Sequence, residues 1–252
     1  MELSPGELIV ILLAREIRDG EVCLGAGVGG IALFASLLAR RLQAPNLHIL
    51  GTGNNPDPEA FFEAVNDMRC YRRADSYMDF FEVFRLSERG MDFAVYSGMQ
   101  IDRYGNVNLH FIGDYPDRIK VIGPGVANTS FGITCGRTLL YLSEHSKRTL
   151  VEKVDFISIA GFLGGGDERE RAGTKTQGPV VCITSMAVFD FEPATKAMRL
   201  KTIHQGFGLE EVLGSMGFKP IIPENVDTTS PPTREEVETL RFLDKYSILK
   251  IE

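Results

Sequence analysis

Apolar positions recur every three or four residues in the first segment of the chain, residues 5–18. Leu8 and Leu12 belong to this stripe, and Ser4 precedes the segment with Glu7 three positions later. Serine at the N-cap, proline at the first helical position and glutamate at N3 predict a helix that begins with a capping box. The apolar stripe is typical of a helix that packs on a sheet.

Short apolar runs predict strands along the rest of the chain, and apolar spacing of three to four residues predicts further helices. The predicted strands cover residues 21–24, 47–50, 69–73, 92–96, 119–122, 154–160, 180–183, 187–191 and 196–202. The further predicted helices cover residues 31–42, 57–66, 76–88, 208–216 and 233–243. Strands that alternate with helices predict an α/β fold with an open, mostly parallel sheet flanked by helices. The last three strands have no helix between them and predict an antiparallel C-terminal meander. We expect a single domain over residues 1–252.

Two polar loops follow predicted strands and form a candidate site. Residues 97–108, SGMQIDRYGNVN, follow the strand 92–96, and Gly123-Pro124-Gly125-Val126 follows the strand 119–122. In open α/β sheets, ligands bind beyond the carboxyl ends of the strands. If the two strands are adjacent, both loops border one site. The alternative is a pair of ordinary connecting loops.

A glycine-rich turn after the first strand has the pattern GxGxxG at Gly25, Gly27 and Gly30. Such a turn can present backbone N–H groups to an anion at a helix N-terminus. A dinucleotide site also needs an acidic residue at the end of the next strand. That strand is followed by Gly51-Thr52-Gly53-Asn54-Asn55, and no acid occurs before Asp57. The pattern therefore favours a different anionic ligand, or close backbone packing, over NAD.

A second glycine-rich segment, residues 161–166, precedes a charged run that contains Arg169 and Arg171. Guanidinium groups match phosphate oxygens bidentately, so these two arginines are candidates for phosphate contacts. A solvated turn is the alternative.

Composition excludes several classes of function. The 252 residues carry a net charge of −7, without the basic clusters that nucleic-acid binding requires. No CxxC or HxH spacing indicates a metal site, and we predict none. The four cysteines are interpreted as buried thiols of a cytoplasmic protein: Cys23, Cys70, Cys135 and Cys182. The N-terminus does not resemble a signal peptide, and no run of about 20 apolar residues predicts a membrane span.

Several motifs together resemble the β subunit of the family I coenzyme A transferases, of the glutaconate CoA-transferase type. Within that family, they also resemble the β subunit of the bacterial hydrolase that opens steroid rings as CoA thioesters. The motifs are Gly25–Gly30, Met99–Asn108, Gly123–Val126, Phe189, His204, Gly217-Phe218 and Pro231–Thr233. The resemblance covers nearly the whole chain, and MQIDRYGNVN is its most specific part.

One residue of the transferase pattern is missing. The resemblance implies a glutamate in the stretch that corresponds to Leu47–Thr52, and in transferases this glutamate carries CoA as a thioester. No acid stands there, and the aliphatic Leu50 cannot act as a nucleophile. The steroid-type relatives instead imply hydrolytic cleavage of a cyclic β-diketone CoA thioester, with the acid/base carboxylate on an α subunit. Two alternatives are a transferase of dicarboxylic or 3-oxo acids with a displaced nucleophile, and a non-catalytic subunit that binds CoA.

The resemblance assigns roles to two residues: Gln100 matches the glutamine of the site loop, and Gly125 matches a glycine whose N–H is an oxyanion donor. Together with Tyr104 they are the predicted catalytic residues. Asp102 and Asn106 are further candidates from the same loop, with ordinary turn formation as the alternative. The predicted CoA-binding residues are Gly25, Gly27, Gly29, Gly123 and Asn128. We expect no tightly bound cofactor, with coenzyme A present only as part of the substrate. The implied partner is an α subunit, in a heterodimer or an α2β2 heterotetramer, with no nucleic acid and no membrane.

Overall fold

The computed structural model describes residues 3–24, 30–50, 79, 81–82, 85–86, 89–125 and 129–250. The helix predicted over residues 57–66 and the strand over 69–73 lie outside this part of the chain, as does most of the helix predicted over 76–88.

The described elements are numbered in chain order. The strands are β1 (Val22–Leu24), β2 (His48–Leu50), β3 (Phe93–Tyr96), β4 (Gln100–Asp102), β5 (Val107–Asn108), β6 (Phe111–Asp114), β7 (Arg118–Ile122), β8 (Arg137–Leu142), β9 (Leu150–Val151), β10 (Gly178–Thr184), β11 (Ala187–Phe191), β12 (Met198–Ile203) and β13 (Asp227–Thr228). The helices are α1 (Pro5–Arg15), α2 (Gly30–Leu42), α3 (Phe131–Thr134), α4 (Glu168–Arg171), α5 (Leu209–Gly214) and α6 (Arg234–Leu243), followed by a 3₁₀ helix at Ile248–Lys250. None of these helices is long and apolar enough to cross a membrane.

The chain divides into two compact units, residues 1–95 with 231–252, and residues 96–230. Whether they fold as the single domain expected from the sequence stays a prediction.

The described part of the first unit contains parallel strands and the helices α1, α2 and α6. Strand β1 pairs in parallel with both β2 and β3. Helix α1 begins at Ser4 with the predicted capping box, and it packs against α2 and α6. An ion pair supports this packing, because the nearly buried Glu7 carboxylate accepts a hydrogen bond of 2.8 Å from Arg241 of α6. The mostly parallel arrangement predicted for this part of the chain is confirmed.

The second unit contains the antiparallel meander. Strand β10 pairs with β11 and β11 pairs with β12, both antiparallel, as predicted. Strand β8, which the sequence pattern missed, pairs in parallel with β10, and β13 pairs in parallel with β12. Phe189 of β11 is fully buried in this core. Among the described cysteines, Cys23, Cys135 and Cys182 are buried, whereas Cys70 lies outside the described residues.

One strand prediction holds only in part, and one is wrong. The run 119–122 is a strand as predicted, but within the described part of the chain β7 pairs only with β6, in a two-stranded sheet, and not with β3. Its side chains are exposed, with 82% of the Ile122 surface accessible. β-branched residues favour the extended backbone whether or not they are buried, which explains a strand at the surface. The strand predicted over residues 154–160 is wrong, because this run is irregular, and Ile159 forms its bridge, to Val107.

Two buried histidines in the second unit predict how stability depends on pH. The ring nitrogens of His145 contact the Thr184 hydroxyl at 2.8 Å and the Val212 carbonyl at 3.0 Å. Burial lowers the pKa of His145, and burial followed by repulsion from His145 lowers the pKa of His204. The unfolded chain therefore binds more protons than the folded chain as the pH falls below about 6.5.

We expect the free energy of unfolding, measured by urea denaturation, to fall as the pH drops from about 7 to about 5. A His204→Gln variant should lose less stability over this range than the wild-type protein. The neighbouring exposed Gln205 supplies the control, because Gln205→Ala should keep the wild-type pH dependence. A His204→Gln variant with the wild-type slope would show that this histidine does not contribute.

Candidate active site

The predicted site loop is a short β hairpin. Strands β4 and β5 pair antiparallel, with Gln100 opposite Asn108, and β9 pairs with β4 on its other side. Ile101 and Val107 are fully buried, and their alternation with polar residues explains the hairpin. The turn of this hairpin is Asp102–Asn106.

Asp102 and Asn106 are buried and bind each other. The Asp102 carboxylate accepts hydrogen bonds from the backbone N–H groups of Tyr104 and Asn106, both at 3.0 Å, and from the Asn106 amide at 2.9 Å. Burial raises the pKa of this carboxyl, and the same hydrogen bonds oppose the shift. The Asn106 side chain also binds the backbone of Gly161 and Leu163. These two candidate residues therefore hold the turn onto the neighbouring loop.

Tyr104 lies against the glycine-rich segment 161–166. Its backbone carbonyl accepts a hydrogen bond of 2.9 Å from the Phe162 N–H. Its ring packs so closely on Gly165 that a β-carbon there would overlap the ring. The Arg103 guanidinium lies 5.4 Å from the ring centre. The half-buried phenol remains a candidate catalytic group, as predicted from the sequence.

Gln100 connects the hairpin to a cleft. Its side-chain oxygen accepts hydrogen bonds from the Asn108 amide at 2.7 Å and from the Asp155 N–H at 3.1 Å. Its amide nitrogen lies 3.3 Å from the Asp155 carboxylate, which also accepts the Gly113 N–H at 2.8 Å. Gln100 is thus paired through both of its polar side-chain atoms, and it fixes an aspartate that lines the cleft.

The Gly123-Pro124-Gly125 turn docks on residues 109–110. The Gly123 N–H donates to the His110 carbonyl at 2.7 Å, and the Gly125 N–H donates to the Leu109 carbonyl at 2.9 Å. Gly125 has a φ of +70°, which favours glycine. Because its N–H is paired within the chain, Gly125 can serve as an oxyanion donor only if this hydrogen bond is exchanged. Gly25, Gly27, Gly29 and Asn128 lie outside the described residues.

Arg169 is not available for phosphate, contrary to the expectation from the sequence. The side chain is buried, and its guanidinium donates to the carbonyls of Gly132, Ala160 and Gly161 at 2.8–2.9 Å. Arg171 is exposed and pairs with Asp167.

An open cleft of about 620 Å³ lies beside these elements. Its walls are mostly aromatic, and they are formed by His110, Phe111, Gly113, Asp114, Tyr115, Asp155 and Phe156. The His110 and Phe156 rings lie 5.0 Å apart, and the Phe111 and Phe156 rings lie 5.1 Å apart. Such walls suit an apolar ring system with a few polar groups.

His110 and Ser158 form a hydrogen-bonded pair at this cleft. The His110 Nδ1 atom lies 2.6 Å from the Ser158 hydroxyl oxygen, which also accepts the Leu109 N–H at 2.8 Å. Neither residue is among the site residues predicted from the sequence. Ser158 lies in the run 154–160, for which the sequence predicts a strand, and His110 lies two positions beyond the predicted site loop 97–108. The signal that could have found His110 is its position just after the MQIDRYGNVN motif.

Two of the predicted residues, Gln100 and Gly123, are connected to the backbone of His110 by hydrogen bonds. Gly123 binds its carbonyl, and Asn108, which is held by Gln100, accepts its backbone N–H at 3.1 Å. Within the described residues, no group of three or more His, Cys, Asp or Glu side chains could hold a metal ion.

Curated relatives align with the chain over nearly its whole length. The chain is 29% identical to a subunit of the 3-oxoadipate CoA-transferase of Pseudomonas knackmussii, covering 96% of this chain and 93% of the relative. It is 29% identical to a subunit of the glutaconate CoA-transferase of Acidaminococcus fermentans, covering 92% and 91%. It is 24% identical to the cholesterol ring-cleaving hydrolase IpdB subunit of Rhodococcus jostii, covering 98% and 95%.

Solved structures share the fold. The glutaconate CoA-transferase of Acidaminococcus fermentans matches with a TM-score of 0.87 at 23% identity, covering 100% of this chain and 99% of that chain. The decarboxylase AibA/AibB matches with a TM-score of 0.85 at 23% identity, covering 99% and 98%. Rhodococcus jostii IpdAB matches with a TM-score of 0.80 at 22% identity, covering 100% and 99%.

These likenesses agree with the mixed α/β architecture and its mostly parallel main sheet. The family model described as coenzyme A transferase matches residues 7–215, which is more than half of the chain. The chain therefore belongs to the coenzyme A transferase family.

Proposed function

We propose that this chain is the β subunit of a heteromeric hydrolase that opens a cyclic β-diketone ring of a steroid-derived CoA thioester. The observation that carries the proposal is the absence of any carboxylate from residues 47–56, where the transferase pattern has its nucleophile. Strand β2 ends there in Leu50, a buried aliphatic residue paired with Leu24 of β1. Without an acid that accepts CoA, the attacking group is water.

The reaction is a retro-Claisen cleavage. A base removes a proton from water, and the water oxygen adds to a ring ketone. The bond between that carbon and the carbon flanked by two carbonyls then breaks. Its electron pair remains on the latter carbon as an enolate, which takes up a proton. The base lies on the α subunit, and this chain supplies donors that stabilise the charged oxygen.

Known relatives support this assignment. A cholesterol ring-cleaving hydrolase subunit aligns over 98% of the chain, and a decarboxylase shares its fold. This architecture is therefore not confined to enzymes that transfer coenzyme A. The relatives are subunits of enzymes with two kinds of chain, which supports an α subunit as partner in a heterodimer or an α2β2 heterotetramer. The aromatic cleft suits fused carbocyclic rings, with CoA bound only as part of the substrate. Few cysteines, all of the described ones buried, suit a reducing compartment, the cytoplasm.

A CoA transferase with a displaced nucleophile is the second candidate. It is favoured by the 29% identity to two transferase subunits, compared with 24% for the hydrolase subunit. Its substrate would be a dicarboxylic or 3-oxo acid.

Chemical trapping separates the two candidates. The complex with its α subunit is incubated with acyl-CoA, treated with borohydride or hydroxylamine, and digested for mass spectrometry. We expect no modified glutamate in this chain, whereas a glutamate-bearing transferase β subunit treated in parallel supplies the positive control. A reduced or hydroxamate-modified glutamate here would contradict the proposal.

A variant of Gln100 tests whether this chain contributes to catalysis at all. Because Gln100 holds Asp155 at the cleft, Gln100→Ala should lower turnover about tenfold while the complex still assembles. Gln205→Ala, at an exposed position, is the matched control and should keep full turnover. Unchanged turnover in an assembled Gln100→Ala complex would favour a subunit that only binds CoA.

A further inference from the structure

We propose that His110 is a catalytic residue of this chain, which donates its Nε2–H to the ring-ketone oxygen as that oxygen becomes charged. The inference rests on the proposed function and adds to it a specific donor. His110 lines the cleft, and its neighbours there are the aromatic rings of Phe111 and Phe156. Gln100 and Gly125, which the sequence predicted as catalytic, use their N–H groups for contacts within the chain.

The hydrogen bonds around Ser158 favour a proton on Nε2 of the ring. The Leu109 N–H donates to the Ser158 hydroxyl oxygen, so the hydroxyl proton can point to His110 Nδ1 at 2.6 Å. A neutral imidazole that accepts at Nδ1 carries its proton on Nε2. The Nε2 atom has no hydrogen-bond partner among the described residues, so this donor is free for a ligand in the cleft.

Backbone contacts fix the position of the ring. The His110 N–H donates to the Asn108 side chain, and the His110 carbonyl accepts the Gly123 N–H at 2.7 Å. Asn108 is completely buried and is held by Gln100. A donor held in this way needs no rearrangement when charge develops, which is the condition for oxyanion stabilisation. The imidazole keeps its proton throughout, so the proton balance of the ring opening is unchanged.

Ser158 is a positioning residue in this arrangement. It is buried, and it acts on the substrate only through the imidazole that it orients. Two residues of the MQIDRYGNVN motif, Gln100 and Asn108, lie within two hydrogen bonds of His110, and Gly123 lies one hydrogen bond from it.

Steady-state kinetics of the complex with its α subunit test the inference. The probe is a CoA thioester that bears a cyclohexane-1,3-dione ring. We expect His110→Phe to lower kcat about 100-fold with little change in KM, because the lost interaction forms only in the transition state. His110→Gln keeps an N–H donor and should remain within about tenfold of wild type. Gln205→Ala, at an exposed position, should be unchanged.

A spectroscopic readout does not depend on activity. Nitrogen-15 NMR of the histidine rings should show the His110 proton on Nε2 in the wild-type complex, and Ser158→Ala should shift it toward Nδ1 and lower kcat about tenfold. A proton on Nδ1 in wild type, or a His110→Phe complex with wild-type kcat, would overturn this inference and leave the proposed function unaffected. A wild-type complex that does not open the ring would overturn the proposed function, and this inference with it.

Discussion

Replacing Asn106 by alanine is expected to lower the free energy of unfolding by about 3–4 kcal/mol. The side chain is 1% exposed, and it donates to the Asp102 carboxylate at 2.9 Å and to the Leu163 carbonyl at 2.8 Å. Its oxygen accepts the N–H groups of Gly161 and Leu163. Alanine removes every one of these hydrogen bonds, and a buried polar group that loses its partner costs more than a hydrogen bond contributes.

Urea denaturation measures the change, with Asn225→Ala as the matched control. Asn225 is exposed, and its replacement should change stability by less than about 0.5 kcal/mol. An Asn106→Ala protein as stable as the control would show that Asn106 does not hold the turn, and a role in substrate binding would then be the better interpretation.

Replacing Arg169 by methionine should destabilise the second unit by about 4 kcal/mol. The buried guanidinium donates to Ala160 and Gly161 through Nη1, and to Gly132 and the Thr176 hydroxyl through Nη2. Methionine fills much of the space but satisfies none of these acceptors. Water can reach few of them, because the side chain is only 4% exposed.

The neighbouring Arg171→Met supplies the control, because this arginine is exposed and pairs only with Asp167 among the described residues. Its replacement should be nearly neutral for stability. The two arginines were equal candidates for phosphate on sequence grounds, so the comparison also tests that hypothesis. A stable Arg169→Met protein with a raised KM for a CoA thioester would restore the phosphate role.

Local signals in the sequence predicted the starts of the first and last described α-helices correctly. Ser4 with Glu7 forms the predicted capping box, and Thr233 with Glu236 forms a second one. Such signals involve residues three positions apart, so they do not depend on the rest of the fold. The meander was also predictable, because three strands separated by short turns have few alternative pairings.

Burial and the partners of polar side chains could not be predicted from the sequence. Strand β7 contains three apolar residues, Ile119, Val121 and Ile122, yet it is exposed. Its described partner is the short strand β6. Asp102 and Asn106 belong to a motif that looks like a site, but they bind each other and the loop beside them. In both cases the outcome depends on contacts between residues distant in sequence, which spacing does not determine.

The roles assigned to the candidate site residues stay predictions. Gln100 and Gly123 contact residues that line the cleft, since Gln100 binds Asp155 and Gly123 binds the His110 carbonyl. Ser158, which completes the arrangement, is 48 positions from His110. No local pattern connects the two residues.

The central claim is that water, and no side chain of this polypeptide, attacks the substrate. A single turnover of the complex in oxygen-18 water tests it most directly, followed by mass spectrometry of the product and of the intact chain. The account predicts a ring-opened CoA thioester whose new carboxylate carries one labelled oxygen, with no CoA bound covalently to this chain. Transfer of CoA to a second acid, with a thioester on one of the chain's own glutamates, would contradict it.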